Sequence, residues 1–373
     1  MIESRVNVKE NPAIGEKYYY VKHKSGLDIY VIPKKLSTYY AMFGTKYGSV
    51  HNKFRIKGEA EYTEVPDGIA HFLEHKMFEN EDGEDTFAKF ARTGASANAY
   101  TSFLCTMYLF SCTDKFYESL EILLDYVTMP YFTEQSVQKE QGIIAQEIRM
   151  GEDNPGRALF FGLMRAMYKN HNARIDIAGT VESIAKIDHH LLYKCYNTFY
   201  NLGNMALCVS GDVTPEEVIA VADKVLKPQA THEVECIEPA EDPEVNRPNF
   251  TCRMQVAKPL FAIGVKDVEI SSNPYERMKK NAAMTVLENM LFGGASEFYN
   301  KLYEEGLITK SFGAWHDHNH SMSMFCVQGE SDRPEEVYSR FLKYIDKQKR
   351  DGLSKDDFER CRRVMFSNFI KGF

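Results

Sequence analysis

Long apolar runs are missing from this sequence. No stretch approaches the roughly 18 residues that a membrane-crossing helix needs, so no membrane span is expected. A basic stripe is missing too. The net charge is −8, which argues against nucleic acid as the main ligand. The first residues, "MIESRVNVKENPAIGEK", have no apolar core and do not read as a secretory signal. Eight cysteines are present, but none pairs in a C-x-x-C arrangement. Scattered cysteines in a chain this large point to reduced thiols and a cytoplasmic protein. The glycine turns "SGDV" and "FGGAS" lack the strand and lysine context of a phosphate loop. Tryptophan occurs once, at Trp315, where packing is the expected role. What remains is 44% apolar and 26% charged, the balance of a water-soluble globular protein. A length of 373 residues predicts two domains, or three.

The element pattern mixes strands and helices. "LDIYVIPK" and "STYYAMFGTKYGSV" read as strands, the second ending in a glycine turn. A helix is expected from about Gly68 to Phe78 with Asp67 as its N-cap. Another follows at "DTFAKFART", then strands at "GASANAYTSF" and "TMYLFSC". "DKFYESLEILLDYV" has apolar residues at helical spacing. Residues 133–150 read as a longer helix capped by Thr133, and "GRALFFGLMRAMYK" as further helix. "MALCVSGDV" reads as a buried strand and "TPEEVIAVADKVL" as a helix. Residues 228–249 carry Pro228, Pro239, Pro243 and Pro248 with many acids and little periodicity. They read as a linker. Strands recur at "TCRMQVAK" and "LFAIGVKDV", and helices at "NPYERMKKNAAMTVLENMLF" and "RPEEVYSRFLKYIDKQK". The expected division is 1–227, the linker 228–249, and 250–373. The final helix at "VMFSNFIKGF" reads as unfinished.

The segment "GIAHFLEHKMFE" holds His71, Glu74 and His75. On a helix, residues i and i+4 share a face, so both imidazoles can aim at one cation. Glu74 lies beside them, placed to reach a water without being a ligand. Catalytic zinc takes three protein ligands and keeps a position open for water. H-x-x-E-H is the inverted form of the H-E-x-x-H zinc motif. Glu147 in "KEQGIIAQEIRM" is the best third ligand. Glu140 precedes it by two helical turns and faces the same way. One carboxylate could bind metal while the other supports a ligand imidazole.

An internal repeat organises the chain. "HFLEHKMF" (71–78) aligns with "TVLENMLF" (285–292). Leu73, Glu74 and Phe78 match Leu287, Glu288 and Phe292, whereas His71 and His75 meet Thr285 and Asn289. The order that follows is the same in both: a short helix, two strands, an amphipathic helix. The second copy is expected to keep the fold and lack the ligands. "HDHNH" puts His316, His318 and His320 at alternate positions. On a strand they could share a face and bind metal; a polar loop or exposed strand face is the blander expectation. His189 and His190 read as the start of a helix.

"GIAHFLEHKMF", "GASANAYTS", "EQGIIAQEIRM", "RIDIAGTVESI" and "FYNLGNMALCVSGDV" together resemble the pitrilysin/insulinase family of zinc peptidases. Within it the chain is most similar to the cytosolic bacterial branch associated with elongation factor P modification. The resemblance implies an α+β fold of two duplicated half-barrel domains, each a mostly antiparallel sheet with helices on one face. It implies Zn2+ held by His71, His75 and Glu147, with Glu140 in support and Glu74 as general base. It also implies that an extended peptide substrate docks along "SANAYT", past Asn98, Ala99 and Tyr100, by adding a strand to an open sheet edge. The implied activity is a zinc metalloendopeptidase. The implied alternatives are a non-catalytic scaffold subunit and a hydrolase of a modified side chain.

One departure stands out. Family members carry an Arg and a Tyr seven apart in the second domain, where this chain has Leu302 and Thr309. A lost oxyanion donor is worth about 3 kcal/mol. The resemblance therefore implies a paralogous subunit that supplies those groups, or a homodimer, and an oligomer in either case.

Overall fold

The computed structural model describes residues 5–372. Residues 1–4 and 373, which the expected domain limits include, lie outside the described residues. The chain forms two compact units. The first contains residues up to 149 together with 175–238, and the second contains 150–174 together with those from 239 onward.

The first unit is built on a seven-stranded sheet. Its strands run in the order Arg5–Asn11, Glu16–Lys22, Asp28–Pro33, Met205–Gly211, Tyr39–Thr45, Thr106–Cys112 and Ser96–Thr101. All neighbours are antiparallel except Asp28–Pro33 with Met205–Gly211. "TMYLFSC" shows why one face is covered. Thr106, Tyr108, Phe110 and Cys112 are buried while Met107, Leu109 and Ser111 are partly exposed. Alternate strand residues point to opposite faces, so the buried set meets helices on one side. Helix Phe116–Thr128 covers it with Phe116, Leu120, Leu123, Leu124 and Val127. Those residues recur at the spacing of one helical stripe.

The second unit has a three-stranded antiparallel sheet in the order Leu260–Asp267, Ser323–Glu330, Gly313–His318. Helix Pro155–Met167 packs on strand Leu260–Asp267 at Gly264, where a Cβ would come within 2.3 Å of the Met167 sulfur. Helices Pro274–Phe292, Glu297–Glu304, Pro334–Asp351 and Lys355–Lys371 complete the unit. Its core gathers Phe261, Leu291, Phe292, Phe298, Leu302 and Phe341.

The mixed α+β plan and most elements match the sequence reading. Three points differ. Residues 150–174 belong to the second unit, although the linear division put them in the first. The stretch 251–258 is not a strand: its side chains are mostly exposed and no neighbour among the described residues pairs with it. Residues 228–249 are also more ordered than a free linker. Val234–Cys236 pairs with Lys53–Ile56 in the first unit. In the second, the Glu241 carboxylate accepts the backbone N–H groups of Lys169, Asn170 and His171. Its Oε1 also accepts Lys266 Nζ at 2.5 Å.

Candidate metal centre

The motif helix runs Ile69–Lys76. Asp67, the expected cap, is not its N-cap. Gly68 holds that position at φ 90°, with no side-chain cap. A Cβ there would lie 2.4 Å from the Ala178 carbonyl oxygen, and the left-handed backbone itself favours glycine. Asp67 is drawn into tertiary bonds instead. Its Oδ1 accepts Asn52 Nδ2 at 2.5 Å, and its carbonyl accepts Ser183 Oγ at 2.8 Å. Ile69, Phe72 and Leu73 bury one side of the helix. His71 and His75 lie on the other, with ring centroids 4.6 Å apart.

The facing helix runs Glu134–Glu152. Thr133 Oγ1 accepts the Ser136 N–H at 3.2 Å, a cap at the expected place. Val137, Ile144 and Ile148 bury one side of the helix and carry Glu140 inward with them. His75 Nδ1 donates to Glu140 Oε1 at 2.9 Å. A carboxylate partner fixes the proton on Nδ1 and leaves Nε2 with a lone pair. His75 Nε2 lies 3.6 Å from Glu147 Oε2, and His71 Nε2 lies 3.6 Å from Glu147 Oε1. The donor atoms of these three residues all fall within 4.8 Å of one another, the only such group among the described residues.

These spacings can be tested against a cation. Zn–N and Zn–O bonds of about 2.0–2.1 Å place tetrahedral ligands about 3.3–3.4 Å apart. Separations of 3.6 Å are too long for good hydrogen bonds and close to that tetrahedral edge. Two imidazoles and a carboxylate, one imidazole backed by a second carboxylate, are a donor set that fits a zinc ion. Glu147 is 40% exposed at its side chain, so the cluster is open to solvent.

Glu74 sits behind this cluster, only 8% exposed. Its Oε2 accepts Thr101 Oγ1 at 2.6 Å. Burial pushes the Glu74 carboxyl above its usual range; the Thr101 hydroxyl and nearby His75 oppose the shift, and the Glu147 charge adds to it. For His75, burial alone favours the neutral ring. The Glu140, Glu147 and Glu74 carboxylates outweigh it and raise the pKa.

Strand Ser96–Thr101 is the outermost strand of the sheet, so its far edge has no neighbour among the described residues. Asn98 and Tyr100 are exposed, and Ala99 between them is partly buried. The Ala99 N–H is held by Asn98 Oδ1 at 2.9 Å. Thr101, which ends this strand, was not singled out in the sequence. Its parity with Ala97 and Ala99 on the partly buried face was the available signal.

Among the described residues the other histidines form no comparable site. His316 and His318 do lie on strand Gly313–His318. His316 Nδ1 donates to Glu288 at 2.9 Å, and His318 Nδ1 bonds Ser323 Oγ at 2.7 Å. His320 lies beyond the strand. Trp315 donates to Gln328 and packs near Phe160. His189 and His190 begin a helix capped by Asp188. Leu302 is a core residue, 2% exposed. Thr309 Oγ1 bonds Ser311 and Glu330.

Two histidines and a glutamate gathered by a pair of helices on this α+β plan make a candidate metal centre. The chain belongs to the insulinase family, peptidase family M16. Residues 58–181 match the family described as "Insulinase (Peptidase family M16)", and 186–365 match "Peptidase M16 inactive domain". "Uncharacterized zinc protease YmfH" of Bacillus subtilis is 44% identical over 336 residues, covering 88% of this chain and 77% of that protein. The crystal structure of an M16-like protein from Alicyclobacillus acidocaldarius superposes with a TM-score of 0.90 at 35% identity. That match covers 100% of this chain and 85% of the other. "Mitochondrial-processing peptidase subunit beta" of Caenorhabditis elegans is 29% identical over 171 residues, covering 45% of this chain and 37% of that protein. No helix among the described residues is long and apolar enough to cross a membrane.

Proposed function

We propose that this chain is a zinc-dependent endopeptidase, with His71, His75 and Glu147 as the metal ligands and Glu74 as the general base. The observation that carries the reading is Glu147, which offers a separate oxygen to each histidine Nε2 at 3.6 Å. Zinc held by these residues would supply a Lewis acid for the scissile carbonyl and would acidify the attacking water. Glu140 holds the His75 ring in the tautomer that ligation needs. Thr101 holds the Glu74 carboxylate through its hydroxyl and its backbone, and that carboxylate takes the proton of the attacking water. Glu74 then returns that proton to the departing amine. Its raised pKa suits a group that must both accept and release a proton.

The substrate is an extended peptide. Added along the open edge of Ser96–Thr101, it would displace the Asn98 side chain from the Ala99 N–H and pair with the strand. Asn98 and Tyr100 would flank it, and Thr101 places Glu74 at the end of the same strand. Short or unfolded peptides meet this demand; folded proteins do not.

Leu302 is packed in a core and Thr309 is bonded within its own unit, so neither position offers a cation or a phenol. A second subunit is proposed to supply such groups. The processing-peptidase relative is named as a subunit beta, which supports a paired assembly. The cysteines, free and half of them buried, support a cytoplasmic setting.

Glu74→Gln tests the core of the reading. The variant is expected to retain zinc by metal analysis and lose peptide turnover. Unchanged turnover, or no zinc in the wild type, rejects it. Assay of the chain alone and with a paralogue tests the second part, and full activity alone rejects the partner.

A further inference from the structure

We infer that Lys76 is a positioning residue, which sets the angle between the two ligand-bearing helices by pinning the motif helix to the first turn of the glutamate helix. The inference rests on the zinc reading above and adds to it a residue outside the ligand set.

Lys76 follows His75 directly, yet its side chain is fully buried, at 0% exposure. Lysine is almost never buried without a partner, and an unpaired internal ammonium is costly. Here Nζ donates to Ser136 Oγ at 2.9 Å and pairs with Glu79 Oε2 at 2.5 Å. Ser136 belongs to a reciprocal cap. Its N–H bonds Thr133 Oγ1 at 3.2 Å, and its Oγ accepts the Thr133 N–H at 3.3 Å. Lys76 therefore grips the hydroxyl that organises the start of the glutamate helix.

The geometry explains why one bond is not enough. Ser136, Glu140 and Glu147 lie along one stripe of that helix, at i, i+4 and i+11. His75–Glu140 alone fixes a point about which the helix can swing. Lys76–Ser136, one turn earlier, fixes the direction. Glu147 stands about 10 Å beyond Glu140 at 1.5 Å per residue. A swing of about 10° would therefore move its carboxylate about 2 Å, beyond the roughly 0.5 Å tolerance of a functional site.

The second copy of the repeat gives an internal control. By the same alignment Lys76 corresponds to Met290, which is buried in a helix without ligand histidines. An apolar side chain satisfies the packing there. The buried cation accompanies the copy that carries the ligand set.

Two lesions remove the pin from opposite sides in the full chain. Ser136→Ala deletes the hydroxyl, and Lys76→Met with Glu79→Gln deletes the ammonium without stranding its partner charge. The readouts are zinc affinity, by competition with a chromophoric chelator, and the visible spectrum of the cobalt(II) form. Both variants are expected to bind zinc about 10–100-fold more weakly, as loss of ligand-supporting groups does, and to alter the cobalt bands. Ser136→Thr, which keeps a hydroxyl, should restore both. Wild-type affinity and an unchanged cobalt spectrum in folded Ser136→Ala overturn the inference, even if its unfolding midpoint falls. A wild-type chain that takes up neither metal overturns the zinc reading itself, and the inference with it.

Discussion

The two copies of the repeat share a backbone plan and differ in what their polar side chains do. In the first, His71 and His75 reach outward to a carboxylate on another helix. In the second, the equivalent side chains bond their own helix, and Asn289 Nδ2 reaches another helix only through the Met365 sulfur at 3.4 Å. Thr285 Oγ1 bonds the Asn281 carbonyl at 2.9 Å, and Asn289 Nδ2 bonds the Thr285 carbonyl at 2.8 Å. Glu74 and Glu288 both bond a side chain on the neighbouring edge strand, Thr101 in one copy and His316 in the other. Counted from the cap hydroxyls Thr133 and Ser354, Glu140 and Glu147 fall on Cys361 and Asn368. The apolar matches, Leu73 with Leu287 and Phe78 with Phe292, preserve the fold. A handful of polar positions separates a candidate metal centre from a scaffold.

The units also differ in how they use buried charge. The first gathers Glu74, Lys76 and Glu140 around the cluster. The second has Lys266, 2% exposed at its side chain, paired with Glu241 and tying residues 239–244 to the end of helix Pro155–Met167.

The comparison can be broken at several points. The largest effect is expected at its centre. Glu74→Gln should lower kcat about 10²–10⁴-fold, whereas Glu288→Gln should leave kcat unchanged. Equal losses in the two variants would erase the distinction between the copies.

Next comes the buried pair of the second unit. Glu241→Gln leaves the Lys266 ammonium without its carboxylate and should cost about 3 kcal/mol, read by urea denaturation. Burial alone would raise the Glu241 pKa. Lys266 and the N–H groups of Lys169, His171 and Asn170 outweigh that and hold it below the usual value. Its contribution is therefore full above the unfolded carboxyl value of about 4.3, and is lost as pH falls through the depressed one. The gap between wild type and variant should close in acid; a gap independent of pH would show that packing, not charge, holds the segment.

Glu140→Gln is a subtler change. It should weaken zinc binding about 10–100-fold with the fold intact by circular dichroism. Retained affinity would mean that the His75 ring needs no carboxylate. The smallest effect belongs to the second copy, where Thr285→Val should shift stability by less than about 0.5 kcal/mol. A loss of several kcal/mol would reveal a role for the degenerate position that its local bonds do not suggest.

Much of the site was legible in the sequence because its signals are local. H-x-x-E-H fixes two imidazoles on one helical face, and a seven-residue spacing aligns two glutamates. Thr133 at the head of that helix acts as read. The misreadings have a common cause. Asp67 looks like a cap, but Asn52 and Ser183, distant in sequence, engage it, and Gly68 starts the helix against the Ala178 carbonyl. "TCRMQVAK" has the composition of a strand, but no neighbour among the described residues pairs with it. Nothing in the residue type of Lys76 signals burial, but its spacing from Phe72 and Leu73 puts it on the buried stripe.

Residue identity and periodicity alone determined most of the elements, the repeated pattern, and which copy carries ligand-type side chains, because helical and strand geometry repeat every few residues. Tertiary structure alone decided the rest. It set which glutamate faces the histidines and which supports one, that Thr101 holds Glu74, that residues 150–174 join the second unit, and that a lysine is sealed beside the cluster. Each of those depends on atoms brought together from positions far apart in the chain, which no local pattern can encode.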